Sequence, residues 1–189
     1  MISATLKQAT RTSHAELEKL MISRIRNTST QSDYVRLLEL FYGFFKPVED
    51  RIDNHIDRTY LTDYASRRKS AAILSDMNQL HPVTASSLCE DLPHITNIPE
   101  SLGALYVLEG STLGGRIICK MLADNMGKQT AASFSFFNGY GESTEVMWKQ
   151  FKEKLDNYTD DEQVQGQVIT AANDTFVKFK EWILKHDQA

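Results

Sequence analysis

The chain has 189 residues, a formal net charge of −4 at pH 7 and 41% hydrophobic residues, which predicts one domain over 1–189 with a substantial core. The negative charge, with no stripe of lysine and arginine to offset it, argues against a nucleic-acid-binding protein. The N-terminus lacks the apolar region of a signal peptide, and the most apolar run, LFYGFF at 40–45, is far too short to span a membrane. We therefore expect a cytoplasmic protein in which the two isolated cysteines, Cys89 and Cys119, are reduced thiols.

Helical periodicity dominates the first half of the chain. Apolar residues at helical spacing, from Leu6 to Leu17, predict a first helix over about 3–21. Ser32 is a candidate cap for the second helix, in which Pro47 predicts a kink. This second helix is predicted over about 33–56, a third over 62–79 and a short one over 83–90. Inside the helix predicted over 62–79, the basic run RRK at 67–69 is interpreted as a solvent-exposed helix face.

The second half of the chain is also predicted to be helical. A long helix over 97–127 has Asn97 as its cap and Pro99 in its first turn. The segment 133–143 contains an Asn-Gly pair that could close a hairpin, but the residues after the pair do not alternate, so we predict an aromatic loop. Two further helices, the second opened by a capping-box pattern at 159–162, are predicted over about 143–157 and 160–186. The predicted fold class is all-α.

The long helix contains three glycines that need a physical reason. Gly110, Gly114 and Gly115 lie in LEGSTLGGRII at 108–118, and each interior glycine costs about 1 kcal/mol relative to alanine. Their sum of about 3 kcal/mol is a large part of the roughly 5–15 kcal/mol by which a domain is stable. Gly103 would share a face with Gly110 and Gly114. Two explanations are open: close packing of another helix, or a flat ligand lying against bare backbone.

His14 is the most unusual of the five histidines. The chain contains no HExxH and no ExxH pair, which argues against a zinc hydrolase and a di-iron carboxylate bundle. His14 is predicted on or beside the buried face of the first helix, either as a hydrogen-bonded core residue or as an axial metal ligand. Glu18, four residues later, could accept a hydrogen bond from the ring and orient it as a ligand. Lys7 lies two turns earlier on the same side.

Three stretches of the sequence resemble heme oxygenases. LKQATRTSHAELE resembles their proximal helix, and GALYVLEGSTLGG resembles their distal helix, most closely that of bacterial enzymes associated with phytochromes. FFNGYGESTEVMWKQF is similar to the segment after the distal helix in that group. The resemblance covers nearly the whole chain and implies an all-α fold in which heme (iron protoporphyrin IX) is sandwiched between a proximal and a glycine-kinked distal helix.

The resemblance also implies roles for individual residues. His14 would be the iron ligand and Glu18 its orienting partner. The residues implied to face the heme propionates are Lys7, Lys152 and, with less support, Lys149; those implied to lie over the distal face are Gly110, Gly114 and Gly115. Ser111 stands where many family members have an aspartate that organises distal waters. Proton delivery would then use waters bound to Ser111, Thr112 or backbone carbonyls.

The implied activity is oxidative opening of heme to biliverdin, with release of CO and ferrous iron. Heme would be both cofactor and substrate, together with O2. The sequence has no flavin or nicotinamide motif, so electrons would come from a separate ferredoxin or reductase, and a biliverdin-using phytochrome is a further implied partner. Two alternatives remain. A heme carrier or sensor with the same fold would explain the missing aspartate at position 111, and a related helical enzyme without heme, such as a thiaminase-like protein, would use neither His14 nor the glycines.

Overall fold

The computed structural model describes residues 1–80, 87–127 and 134–187. The predicted all-α fold class is confirmed, and these residues contain no strand. None of the described helices is both long enough and apolar enough to cross a bilayer. In chain order the helices are α1 (Ile2–Ala9), α2 (Arg11–Asn27), α3 (Gln31–His55), α4 (Ala71–Leu80), α5 (Ile98–Gly110), α6 (Gly115–Met126), α7 (Ser135–Asn138), α8 (Thr144–Asp156) and α9 (Glu162–Asp187).

The predicted first helix is two helices separated by a bend at Thr10. Backbone hydrogen bonds continue through the bend, because the N–H of Thr10 donates to Leu6 and that of His14 donates to Thr10. The Thr10 hydroxyl also donates to the Leu6 carbonyl at 2.7 Å, a bond to the preceding turn that commonly bends a helix. Lys7 and His14 therefore lie on different helices, α1 and α2.

Several predicted helix ends are wrong. Thr30, not Ser32, caps α3, because its hydroxyl accepts from the N–H of Asp33 while the Asp33 carboxylate accepts from the N–H of Thr30. The helix then continues unbroken through Pro47. The helix predicted over 62–79 begins only at Ala71.

Two further segments near helix ends also differ from the prediction. Residues 87–90 are not helical, and the rest of the short helix predicted over 83–90 lies outside the described residues. The last helix begins at Glu162 rather than 160, because the Asp161 carboxylate accepts from the N–H of Gln163 at its first turn.

α5 forms the centre of the fold and packs chiefly against α9 and α3. Every residue from Ser101 to Glu109 is buried. An aromatic cluster fills the space beside it, in which the rings of Phe44 and Phe179 stack with centroids 4.7 Å apart. Because α5 is buried on all sides from Ser101 to Glu109, the position of its C-terminal end at Gly110 is fixed by the core.

The aromatic segment predicted as a loop contains one turn of helix, α7. Phe136 and Phe137 are buried in the core, and no strand occurs in 134–143, so the hairpin alternative is not realised there. The buried carboxylate of Asp76 accepts from the N–H of Phe136 at 2.9 Å and from the hydroxyl of Ser135. Burial raises the pKa of Asp76. These bonds attach α7 to α4, while Phe137 of α7 lies against Gly115 at the start of α6.

Candidate functional site

The predicted long helix is divided by a bend at the three glycines. α5 ends at Gly110, a 3₁₀ turn covers Ser111–Gly114, and α6 begins at Gly115. All three glycines have right-handed helical dihedral angles, with φ of −58°, −77° and −57°. Any residue can adopt these angles, so backbone conformation does not explain why glycine is present.

Close packing explains two of the glycines singled out in the sequence, Gly115 and Gly103. A Cβ at Gly115 would overlap the carbonyl oxygen of Phe137 and lie 2.9 Å from its carbonyl carbon. A Cβ at Gly103 would overlap the carbonyl oxygen of Val168 and lie 2.9 Å from the Cβ of Ala171. These two glycines therefore let α6 approach α7 and let α5 approach α9.

Gly110 and Gly114 have no such packing partner. A Cβ at Gly110 would lie 3.6 Å from the ring of Trp148, and one at Gly114 would lie 3.7 Å from Ile118 Cδ1, both ordinary van der Waals distances. The neighbouring side chains of Leu113 and Ile117 are 45% and 68% exposed. The bend thus presents bare backbone next to exposed apolar side chains, which is a surface suited to a flat apolar ligand.

His14 is exposed on α2 and is not a core residue. Its ring meets Phe176 of α9 edge-on, with centroids 5.4 Å apart, and no hydrogen bond to the ring is formed by any residue that the structure describes. The alternative of a buried, hydrogen-bonded core histidine is therefore wrong. An exposed imidazole held by a ring contact keeps a nitrogen lone pair for an external ligand.

Glu18 is exposed one turn after His14, and the two side chains do not hydrogen-bond to each other. Glu18 lines a cavity of about 440 Å³ along α2, together with Ile22 and Arg26. At the C-terminal end of the same helix, the side-chain amide of Asn125 donates to the carbonyls of Ile25 and Arg26 at 3.0 and 3.2 Å. The helix that carries His14 is thereby joined to α6, which begins at the glycine bend.

The three lysines predicted near the propionates have different surroundings. Lys7 is exposed on α1. Lys152 is half-buried on α8, and its Nζ lies 5.7 Å from the ring centroid of Trp148, the ring that adjoins Gly110. Lys149 is exposed and lies 3.7 Å from Glu153 in an ion pair within its own helix. Of the three lysines, Lys152 is therefore the one that contacts the ring adjoining Gly110.

The two hydroxyls after Gly110 point in different directions. Thr112 is buried and its hydroxyl donates to the carbonyl of Glu109 at 2.7 Å. Ser111 is half-buried, and its hydroxyl donates to the carbonyl of Leu108 at 2.6 Å and accepts from Arg68 at 2.7 Å. Of these two hydroxyls, only that of Ser111 is placed to bind a water molecule at the surface of the bend.

The basic run at 67–69 is not the solvent-exposed helix face that we predicted. It lies between a 3₁₀ turn and α4, and the buried Arg67 pairs with Glu109 at 2.6 Å and with Asp63 at 2.6 Å. Arg68 crosses to the glycine bend. A sequence signal for a buried partner did exist, because Glu109 follows eight residues without a charge in an apolar helix, and a buried charge needs a cation. Which cation it pairs with depends on contacts 42 residues away.

A comparison with known proteins identifies the family. Residues 1–185 match the protein-family model described as heme oxygenase. The chain belongs to the heme oxygenase family. It is 26% identical to heme oxygenase PigA of Pseudomonas aeruginosa over 183 residues, which cover 94% of this chain and 88% of the relative. It is 24% identical over 147 residues to a heme oxygenase of Xanthomonas campestris, covering 77% and 86%.

A solved structure supports the heme oxygenase fold directly. The heme oxygenase of Leptospira interrogans superposes with a TM-score of 0.73 over 97% of this chain and 98% of the other, at 16% identity. The family resemblance derived from the sequence motifs is therefore confirmed, and so is the arrangement of helices.

Proposed function

We propose that this member of the heme oxygenase family binds heme between α2 and the bend that joins α5 to α6, and opens it to biliverdin with release of CO and ferrous iron. The observation that carries the proposal is the pair Gly110 and Gly114. Neither the backbone dihedral angles nor the packing of neighbouring residues requires glycine at these two positions. A ligand lying on the bend accounts for both glycines. The exposed imidazole of His14, on a helix joined to α6, is a suitable donor for its iron.

Each candidate residue then has a defined task. His14 would ligate the iron, and Glu18 would accept a hydrogen bond from its ring once the ring is turned to the metal. Gly110, Gly114 and the start of α6 at Gly115 would form the distal surface. Bound heme would supply both the iron that binds O2 and the macrocycle that is oxidised.

Ser111 would orient water at the distal surface without an aspartate. Its hydroxyl proton is used by the carbonyl of Leu108, so the remaining lone pair can accept a hydrogen bond from a water molecule. Thr112 has no part in this proposal, because its hydroxyl faces the interior of the helix turn.

The reaction would also need partners outside the chain. Electrons would come from a ferredoxin or a separate reductase, and a phytochrome could use the biliverdin. The two free cysteines suit a reducing compartment, and we propose the cytoplasm as the place of action.

The test is anaerobic loading of the purified protein with heme, followed by addition of O2 and a reductant. Formation of biliverdin together with CO supports the proposal. A stable complex without biliverdin would instead identify a heme carrier or sensor, the alternative that the serine at position 111 favours. Absence of a Soret-region complex would refute heme binding altogether.

Charge reversal at Lys7 and Lys152 should weaken heme binding or change the biliverdin isomer, because the introduced glutamates would repel the propionates. Exposed charge pairs contribute roughly 0.2–1 kcal/mol each, so the double variant to glutamate is expected to lose about tenfold in heme affinity. Lys154→Glu on α8, where the lysine lies over Tyr60, is the matched control. Equal affinity and an identical isomer in the double variant and the control would show that these lysines do not contact heme.

A further inference from the structure

A buried network of charges connects Arg67, Glu109 and Tyr140 beneath the glycine bend. The Glu109 carboxylate accepts from Arg67 at 2.6 Å and from the Tyr140 hydroxyl at 2.8 Å. The Tyr140 oxygen in turn accepts from the backbone N–H of Arg68 at 2.8 Å. Arg67 is shared between two carboxylates, because it pairs with Asp63 as well as Glu109, and Arg68 hydrogen-bonds to the network only through its backbone.

The guanidinium of Arg68 has neutral partners. Its Nη2 donates to the carbonyl of Leu108 and the hydroxyl of Ser111, each at 2.7 Å, and its Cζ lies 4.3 Å from the ring centroid of Phe136. No carboxylate from the described part of the chain lies within ion-pair distance of it. Burial lowers the pKa of the guanidinium to about 10, so it stays charged at neutral pH. A cation with no carboxylate in direct contact is thus held on Ser111, and the charges of Glu109 and Glu49 act on it only from beyond ion-pair distance.

The position of this cation matters because Ser111 directly follows Gly110 in the bend. A charge in a partly buried site is weakly screened by solvent, so its field extends several ångströms to any ligand that lies on the bend. Because the partners of Arg68 are fixed backbone carbonyls and a fixed hydroxyl, the charge does not need to reorganise when a ligand arrives.

We propose that Arg68 supplies a fixed positive charge to the distal surface through Ser111, so that the heme complex prefers anionic distal ligands over neutral ones. This inference rests on the proposed function, since it requires heme on the bend. In this chain the residue after Gly110 is then paired with a cation. Arg68 acts through Ser111 and is therefore a positioning residue.

The experiment compares azide, an anion, with imidazole, a neutral ligand, in titrations of the ferric heme complex followed at the Soret band. Arg68→Gln keeps an amide that can donate to Ser111 but removes the charge. We expect its azide affinity to fall about tenfold while its imidazole affinity changes by less than about twofold, since only the anion senses the charge. Arg68→Lys should retain most of the azide affinity. Arg36→Gln, on the exposed surface of α3, is the matched control.

Unchanged azide affinity in Arg68→Gln overturns the inference, and so does an equal loss of azide and imidazole, which would indicate a merely structural role. If Arg68→Gln does not fold, Ser111→Asp places a carboxylate within reach of the guanidinium and neutralises it. Azide affinity must then fall while imidazole affinity holds, and constant azide affinity again overturns the inference. Failure of the wild-type protein to bind heme would reject the proposed function itself, a result that these titrations distinguish at their first step.

Discussion

The His14→Ala variant is expected to lose the axial-imidazole spectrum of the heme complex and all measurable biliverdin formation. His14 is exposed and is the single histidine of α2, so its removal leaves no second imidazole on that helix. The fold should tolerate the change, because an exposed side chain contributes little to the core. Optical and electron paramagnetic resonance spectra of the ferric complex, with a thermal melt of the heme-free protein, provide the measurement.

Added imidazole should restore the ligand spectrum in His14→Ala, because the truncated side chain leaves space beside Phe176 for a free ring. Glu18→Gln serves as a graded companion, which should keep the ligand but weaken its bond to iron modestly. His94→Ala is a suitable control, since His94 is exposed far along the chain and lies 3.2 Å from Glu100. An unchanged ferric spectrum in His14→Ala would assign the iron ligand to another residue.

Alanine substitutions at the four glycines are expected to divide into two classes. Gly110→Ala and Gly114→Ala should leave the heme-free protein as stable or stabilise it by up to about 1 kcal/mol, because both positions are helical and an added methyl meets only ordinary contacts. Their biliverdin yield should nevertheless fall sharply, because the methyl would project toward the ligand. Leucine at position 114 should block heme binding itself.

Gly103→Ala and Gly115→Ala are the matched controls, and the opposite result is expected of them. Their methyl groups would overlap backbone carbonyls of Val168 and Phe137, which cannot move aside as a flexible side chain can. We expect losses of at least about 1–3 kcal/mol from overpacking. Thermal melting and biliverdin yield, measured on all four variants, decide the matter. A destabilised but normally active Gly110→Ala would mean that this glycine serves packing and not the ligand.

Much of the fold could be predicted from the sequence because helical periodicity and capping residues are local signals. Asn97 caps α5 as predicted, by accepting from the N–H of Glu100 at 2.9 Å. The bend at Thr10 and the late start of α4 were missed because each depends on one side-chain bond or on tertiary packing. Two predicted helix starts were wrong because several residues near each start can act as a cap. The observed caps, Thr30 and Asp161, each lie within two positions of the predicted one.

The candidate site could be predicted only in part, because the sequence does not show which residues are neighbours in space. A glycine in a sequence does not indicate which atoms would meet its missing side chain, so Gly110 and Gly115 look equivalent until their neighbours are known. The same holds for charge: RRK at 67–69 has the composition of a solvated surface, and only the fold shows that its two arginines reach Glu109 and Ser111. Long-range pairing of this kind leaves no periodic pattern in the sequence.

The close approach of Gly115 to Phe137, and of Gly103 to Val168, has a consequence for how this stretch can evolve. Drift at these two positions is restrained by the need to fold, whatever the protein binds. Under the proposed function, drift at Gly110 and Gly114 is restrained only while the ligand is used, since an added Cβ there would meet only ordinary contacts. A related protein that no longer bound the ligand would therefore be expected to keep Gly103 and Gly115. It would be expected to carry other residues at positions 110 and 114.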